Sequence, residues 1–169
     1  PHITHFTTPA ATGNSEDLIV TFEISNITHN SVYITTTHSV GVYYFTYLTK
    51  LDDFNALVEE LGSVDAAIVY TANYEIDYGA EFFFCSRAEY LYELGASIGK
   101  ENNFYNQLEP ATDYIAYAIA VDMQSGKLAS DKGSTSEIFR TQNKLTSNAG
   151  VSIEFGNYYD GSALAELDP

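Results

Sequence analysis

Residues 108–122, LEPATDYIAYAIAVD, constrain the fold of this chain more than any other stretch. Pro110 lacks the N–H that a sheet ladder needs, so it marks a turn and delays the following strand to about Thr112. From there the period of two places Tyr114, Ala116, Ala118 and Ala120 on one face and Ile115, Tyr117, Ile119 and Val121 on the other. Both faces are apolar. An antiparallel sheet with one wet face alternates apolar with polar, so this strand is expected to be covered on both sides. Tyr114 stands where a β-sandwich places its tyrosine corner, with the hydroxyl bonded back to the chain just upstream. Leu108, Pro110 and Tyr114 are thus assigned structural roles.

The strands that would pair with it are read from the same period. Leu18, Val20, Phe22 and Ile24 alternate with Ile19, Thr21, Glu23 and Ser25, as a half-buried strand does. Asn26 to Asn30 supplies a turn, and Val32, Ile34 and Thr36 alternate with Tyr33, Thr35 and Thr37 in a second strand. Tyr43 to Leu48 is a third, aromatic and without a polar face. These are strands A, B and C of a sandwich, with Phe104 to Leu108 as E, the stretch after Thr112 as F and Glu137 to Thr141 as G. Met123 to Ser134, polar and containing Gly126 and Gly133, is expected to be a loop.

Between strands C and E the period changes. Leu51, Phe54, Leu57, Val58 and Leu61 share one helix face, and Gly62 ends that helix. Ser63 caps a second helix to about Asn73, Gly79 interrupts the chain, and Ser86 with Glu89 forms a capping box for a third helix ending at Gly95. About three helices over residues 51–95 are therefore inserted into an antiparallel sandwich. The two-sided apolar character of the C and F strands predicts that they pack on the outer face of the C-F-G sheet.

The main domain is expected to span residues 17–141. Residues 1–16 are an extension or linker, and 142–169 are a linker followed by the first strand of another unit, with Val151, Ile153 and Phe155 alternating. His2 and His5 could meet on a metal, although four scattered histidines favour no such role.

Charge excludes some partners. Asp and Glu number 23 against 7 Lys and Arg, a net charge of -16, which repels phosphate backbones and anionic lipid. No nucleic acid partner and no direct membrane insertion are expected. Cys85 is the single cysteine, so no disulfide forms within the chain and the redox compartment stays open.

The spacing Leu108, Pro110, Thr112, Tyr114 resembles the signature that enters strand F of fibronectin type III domains. With Phe22-Glu-Ile-Ser-Asn-Ile-Thr28, the Tyr43-Tyr44 strand and the helical insertion, residues 17–141 resemble fibronectin type III-like modules of surface and secreted lipoproteins of Bacteroidetes. The resemblance implies an immunoglobulin-like sandwich, an extracellular or cell-surface location and neighbouring modules on the same polypeptide as partners. The chain departs from ordinary members in having no Trp and in the insertion itself.

No catalytic motif stands out: there is no G-x-S-x-G, P-loop, H-E-x-x-H or C-x-x-C. A glycosidase-like carboxylate pair could hide among the acids without a sequence mark. Asp122, Asp131 and Asp160 could serve calcium, but no D-x-D-x-D-G series supports it, and no cofactor is expected. Of the 14 Tyr, Tyr43, Tyr47, Tyr90 and Tyr117 fall at core periodicity, while Tyr158 and Tyr159 suit binding. The expected function is a non-enzymatic structural or interaction module. A glycan-binding module using exposed tyrosines is the alternative, and a hydrolase is third.

Overall fold

The computed structural model describes residues 19–38 and 41–144. Strands β1 (Thr21–Ser25), β2 (Val32–Thr37) and β3 (Tyr43–Lys50) come first. They are followed by α1 (Leu51–Leu61), α2 (Val64–Phe82), α3 (Arg87–Tyr90) and a π-helical turn at Leu91–Gly95. Strands β4 (Ala96–Ile98), β5 (Lys100–Tyr105), β6 (Asp113–Asp122), β7 (Lys127–Thr135) and β8 (Phe139–Arg140) complete the order. The protein is mainly β, with every pairing antiparallel. One sheet runs β1-β2-β5 and the other β4-β3-β6-β7, with β8 also on β6.

β6 is the centre of the larger sheet and is buried from Tyr114 to Val121. Its even residues Tyr114 and Ala116 meet Val32 and Ile34 of β2, Leu48 of β3 and Phe139, which makes the interior between the two sheets. The odd residues Ile115, Tyr117, Ile119 and Val121 meet Phe54 of α1 and Ala67, Ile68, Ala72 and Ile76 of α2. Two cores therefore share one strand, and the helices lie against the sheet face opposite β2. Gly133 of β7 lets α2 come close, because a Cβ there would sit 2.8 Å from Ile68 and 2.9 Å from the Ala118 carbonyl.

The corner before β6 is tied by Tyr114, whose hydroxyl accepts the Glu109 N–H at 2.9 Å. Thr141 closes the same corner: its hydroxyl accepts the Thr112 N–H at 3.0 Å and donates to the Glu109 carbonyl at 2.6 Å. Gln142 continues it, with its N–H on Thr28 O and its carbonyl accepting from Ala111 N.

Several boundaries differ from those read in the sequence. Most of Met123 to Ser134, expected as loop, forms β7, because pairing with the central strand and cover from α2 compensate for a polar sequence; only the turn around Met123 to Gly126 remains. The last strand shrinks to Phe139–Arg140. β5 starts at Lys100 and ends before Leu108, which lies off the strand with its N–H on Asn30 O. The second helix does not stop at Asn73, whose side chain donates to Val69 O one turn back and so stays within the helix. It also runs through Gly79, where the missing Cβ is replaced by the Tyr90 ring. The third helix is one turn, capped reciprocally by Ser86 and Glu89, before the π turn and the unforeseen β4. The expected extension at 1–16, with His2 and His5, and the expected strand at Val151 to Phe155 lie outside the described residues.

Candidate functional site

α2 carries four rows of side chains spaced by four residues, a consequence of 3.6 residues per turn. Two rows face the sheet: Ala67, Thr71, Glu75 and Gly79, and beside them Ile68, Ala72, Ile76 and Ala80. A third, Asn73, Asp77 and Glu81, is polar. The fourth is Tyr70, Tyr74, Tyr78 and Phe82, each more than half exposed. From Tyr70 to Phe82 this aromatic ridge is about 18 Å long.

The ridge does not stop with the helix. Tyr78 stacks on Phe82 at 6.2 Å, Phe82 meets Phe83 edge-on at 5.1 Å, and Phe83 stacks on Tyr90 at 6.2 Å. Phe84, with a left-handed backbone (φ 55°), is 96% exposed. A bulky residue in that conformation is uncommon, and here it holds an aromatic ring outward at the end of the helix. Tyr92 and Leu94 of the π turn add further exposed area. At the other end, Leu61, Ala66, Tyr70 and Tyr74 help line an open groove of about 530 Å³.

The polar row beside the ridge is braced. The Arg87 guanidinium donates to Asp77 at 2.9 Å, to Asn73 at 2.7 Å and to the Gly126 carbonyl at 2.8 Å. It fastens α2 to the start of α3 and to the β6–β7 turn. The ridge is therefore carried by an anchored helix, which lowers the entropic cost of presenting it to a partner.

On the sheet side of α2 lies a polar cluster. Burial pushes the Glu75 carboxyl above its ordinary range, and the neighbouring Tyr47 hydroxyl opposes this. Burial and then the Glu75 charge raise Tyr47, Tyr90 and Tyr117. The Tyr117 hydroxyl is fully buried with no hydrogen-bond partner in good geometry; the Thr71 hydroxyl donates to Ala67 O at 2.7 Å. Thr46 Oγ1 is a second buried hydroxyl without a partner. The Tyr90 ring is held between Gly79 and Gly95, where a Cβ would approach it to 2.3 and 2.9 Å.

Of the tyrosines assigned to the core, Tyr117 is fully buried, Tyr47 and Tyr90 are half-buried, and Tyr43, at the start of β3, is exposed. The binding candidates Tyr158 and Tyr159 lie outside the described residues, as does Asp160. Asp122 uses both oxygens within its own turn, accepting from Gln124 N at 2.9 Å and Ser125 Oγ at 2.8 Å, which lowers its pKa. Among the described residues no three His, Cys, Asp or Glu side chains converge on a metal site, Asp131 included. A helix ending at Asn73 hides the ridge, whose signal in the sequence is the four-residue spacing of Tyr70, Tyr74, Tyr78 and Phe82.

No family model matches the chain. No curated protein matches it. Among solved structures the chain is similar to the sensor domain of the anti-sigma factor RsgI4 of Pseudobacteroides cellulosolvens, at 10% identity and a TM-score of 0.39, covering 75% of this chain and 96% of that one.

Proposed function

We propose that this chain is a non-enzymatic extracellular interaction module of a modular surface protein, which holds a protein partner on the aromatic ridge of α2. The observation that carries this is the ridge itself: four aromatic side chains in one exposed row, extended by Phe83 and Phe84. Contiguous exposed apolar area on this scale marks interaction sites in soluble proteins, and aromatic residues supply most of the anchoring energy in protein interfaces. The net charge of -16 on the chain favours a partner with a basic rim.

The framework supports the finer fold reading. With β1, β2, β3, β5 and β6 taken as strands A, B, C, E and F, and with β7 and β8 together in the place of G instead of residues 137–141 alone, the sheets are A-B-E and C-F-G, with β4 added beside C. That arrangement, with the Tyr114 corner, suits a fibronectin type III-like sandwich of the kind found in surface lipoproteins of Bacteroidetes. Neighbouring modules of the same polypeptide are natural partners in that setting.

The test is site-specific photo-cross-linking in the full-length protein in its own cell, with the probe at Tyr74 or Phe83 and a control at Asp131. The expected result is one defined protein adduct from the two ridge positions, absent from the control and abolished by Tyr78→Ser with Phe82→Ser. Equal adducts from all three positions would overturn the reading. Reproducible saturable binding of the isolated chain to one sugar on a glycan array, lost in the same double variant, would replace it with the glycan-binding alternative suggested by Tyr70, Tyr74 and Tyr78.

A further inference from the structure

The polar row of α2, Asn73, Asp77 and Glu81, follows the rings of the ridge at a fixed offset: each member stands three residues after Tyr70, Tyr74 or Tyr78. Residues three apart on a helix are surface neighbours, so each of these rings has a polar side chain at its flank. The first two positions of the row already hold a guanidinium, because Arg87 donates to Asn73 at 2.7 Å and to Asp77 at 2.9 Å. The third position is open. Glu81 is exposed and belongs to none of the ion pairs among the described residues, while Tyr78 and Phe82 stack at 6.2 Å beside it.

The potential at that end of the ridge is negative. Glu81 stands in the last turn of α2, which holds no basic residue, and the carbonyl end of a helix favours a cation. Arg87 is the single Lys or Arg between residues 51 and 95, and its charge is taken by Asp77. Exposed acids also stand at both ends of the apolar area: Glu60 beside Leu61, and Glu93 between Tyr92 and Leu94.

We infer that the partner of the ridge is a separate basic protein, with an arginine whose guanidinium lies over Tyr78 and Phe82 and pairs with Glu81 as Arg87 pairs with Asp77 one turn back. This rests on the reading of the ridge as a protein-binding face. A guanidinium is planar, always charged, stacks on aromatic faces and offers a carboxylate a fork of donors; an ammonium carries the charge without the plane. Cations held over tyrosine and phenylalanine rings gain further attraction from the ring faces. Other occupants do not bring that group. Residues 1–18 and 145–169 contain no Lys or Arg, a second copy adds another net charge of -16 and is repelled, and anionic lipid or nucleic acid has no cation to offer.

Titration of the chain with acetyl-Gly-Arg-Gly-amide, followed by NMR at constant ionic strength, tests the arginine. Saturable shifts should appear at Tyr78, Glu81 and Phe82. The citrulline analogue, which keeps the shape and loses the charge, should bind about ten-fold more weakly, and the lysine analogue should also bind more weakly. Glu81→Gln, at an exposed position, should weaken the arginine peptide about three-fold, as the loss of one exposed ion pair does. Glu23→Gln, on the other sheet, controls for net charge and should leave binding unchanged. Equal binding of the citrulline or lysine peptide, equal losses in the two variants, or no shift at the three ridge positions would overturn the inference; so would a dimer at the titration concentration that Glu81→Gln dissociates, which assigns the face to a second copy. Photo-cross-linking separates this inference from the reading beneath it. A ridge adduct undiminished by Glu81→Gln sinks the arginine and leaves the ridge standing, whereas the absence of a specific ridge adduct in the parent chain sinks both.

Discussion

The Tyr114 hydroxyl does one thing: it accepts the Glu109 N–H across the corner. Tyr114→Phe keeps the ring stacked on Phe139 at 6.0 Å but leaves that N–H without its acceptor, so stability measured by chemical denaturation should fall by about 1 kcal/mol. Glu75 behaves differently, since burial favours its neutral form in the folded state. Its folded pKa lies above the unfolded value, so the group favours folding most at acid pH, and that contribution is lost as pH rises through the folded pKa. Glu75→Gln should therefore gain melting temperature over the parent at pH 7, with the gain shrinking toward acid pH below about 4, where both side chains are neutral. A constant difference across that window would contradict the burial argument. Tyr114 was legible because its signal is a local spacing beside a proline. The Glu75 cluster was not, because Tyr47, Glu75 and Tyr117 come from three separate elements that only tertiary packing brings together.

Elements whose side chains alternate or cycle cleanly could be read directly: β2 with Val32 and Ile34 inward, α1 with Phe54 against the sheet, and β6 throughout. β7 could not. Lys-Leu-Ala-Ser-Asp-Lys-Gly-Ser-Thr has turn composition, and it is a strand because β6 offers a ladder on one side and α2 a cover on one face. α2 was half legible, since Gly79 and the polar Asn73 mimic an ending that burial overrides. That packing gives a prediction at Gly133, where a Cβ would meet both Ile68 and the Ala118 carbonyl below 3.0 Å. A helix side chain can shift, but a carbonyl inside a ladder cannot readily do so. Gly133→Ala should cost about 1–3 kcal/mol, outweighing the smaller gain from removing a flexible glycine, about 0.4–1 kcal/mol. A stabilised variant in urea titration would show that α2 is held less tightly to β7 than its contacts imply.

For the whole molecule, the described fold closes at its C-terminal end through Thr141 and Gln142, which together hold Glu109, Ala111, Thr112 and Thr28. A chain ended after Lys144 should melt within about 2 °C of the full chain. One ended after Arg140 loses several hydrogen bonds, each worth about 1 kcal/mol, and should melt lower by about 5 °C or more. A large loss from the first truncation would show that residues 145–169 contribute to the stability of the described fold. The expectation of a boundary near Thr141 rests on the linker-like composition that follows it. The bonds of Gln142 were not legible in the sequence, since backbone pairing across a corner leaves no mark on residue type.

β6 also has a life outside the native state. Its eight residues from Tyr114 to Val121 have no charge, no proline and no glycine, the composition of a segment that stacks into intermolecular sheets when exposed. Burial on both faces hides it in the folded protein, but a nascent or unfolded chain displays it. Asp113 and Asp122 stand at its two ends, where like charges on stacked copies would repel one another. Replacing both with Asn should leave a protein that folds yet precipitates sooner on refolding, most visibly in high salt, which screens the remaining negative charge. Unchanged light scattering during refolding would show that the acids at the strand ends do not guard it.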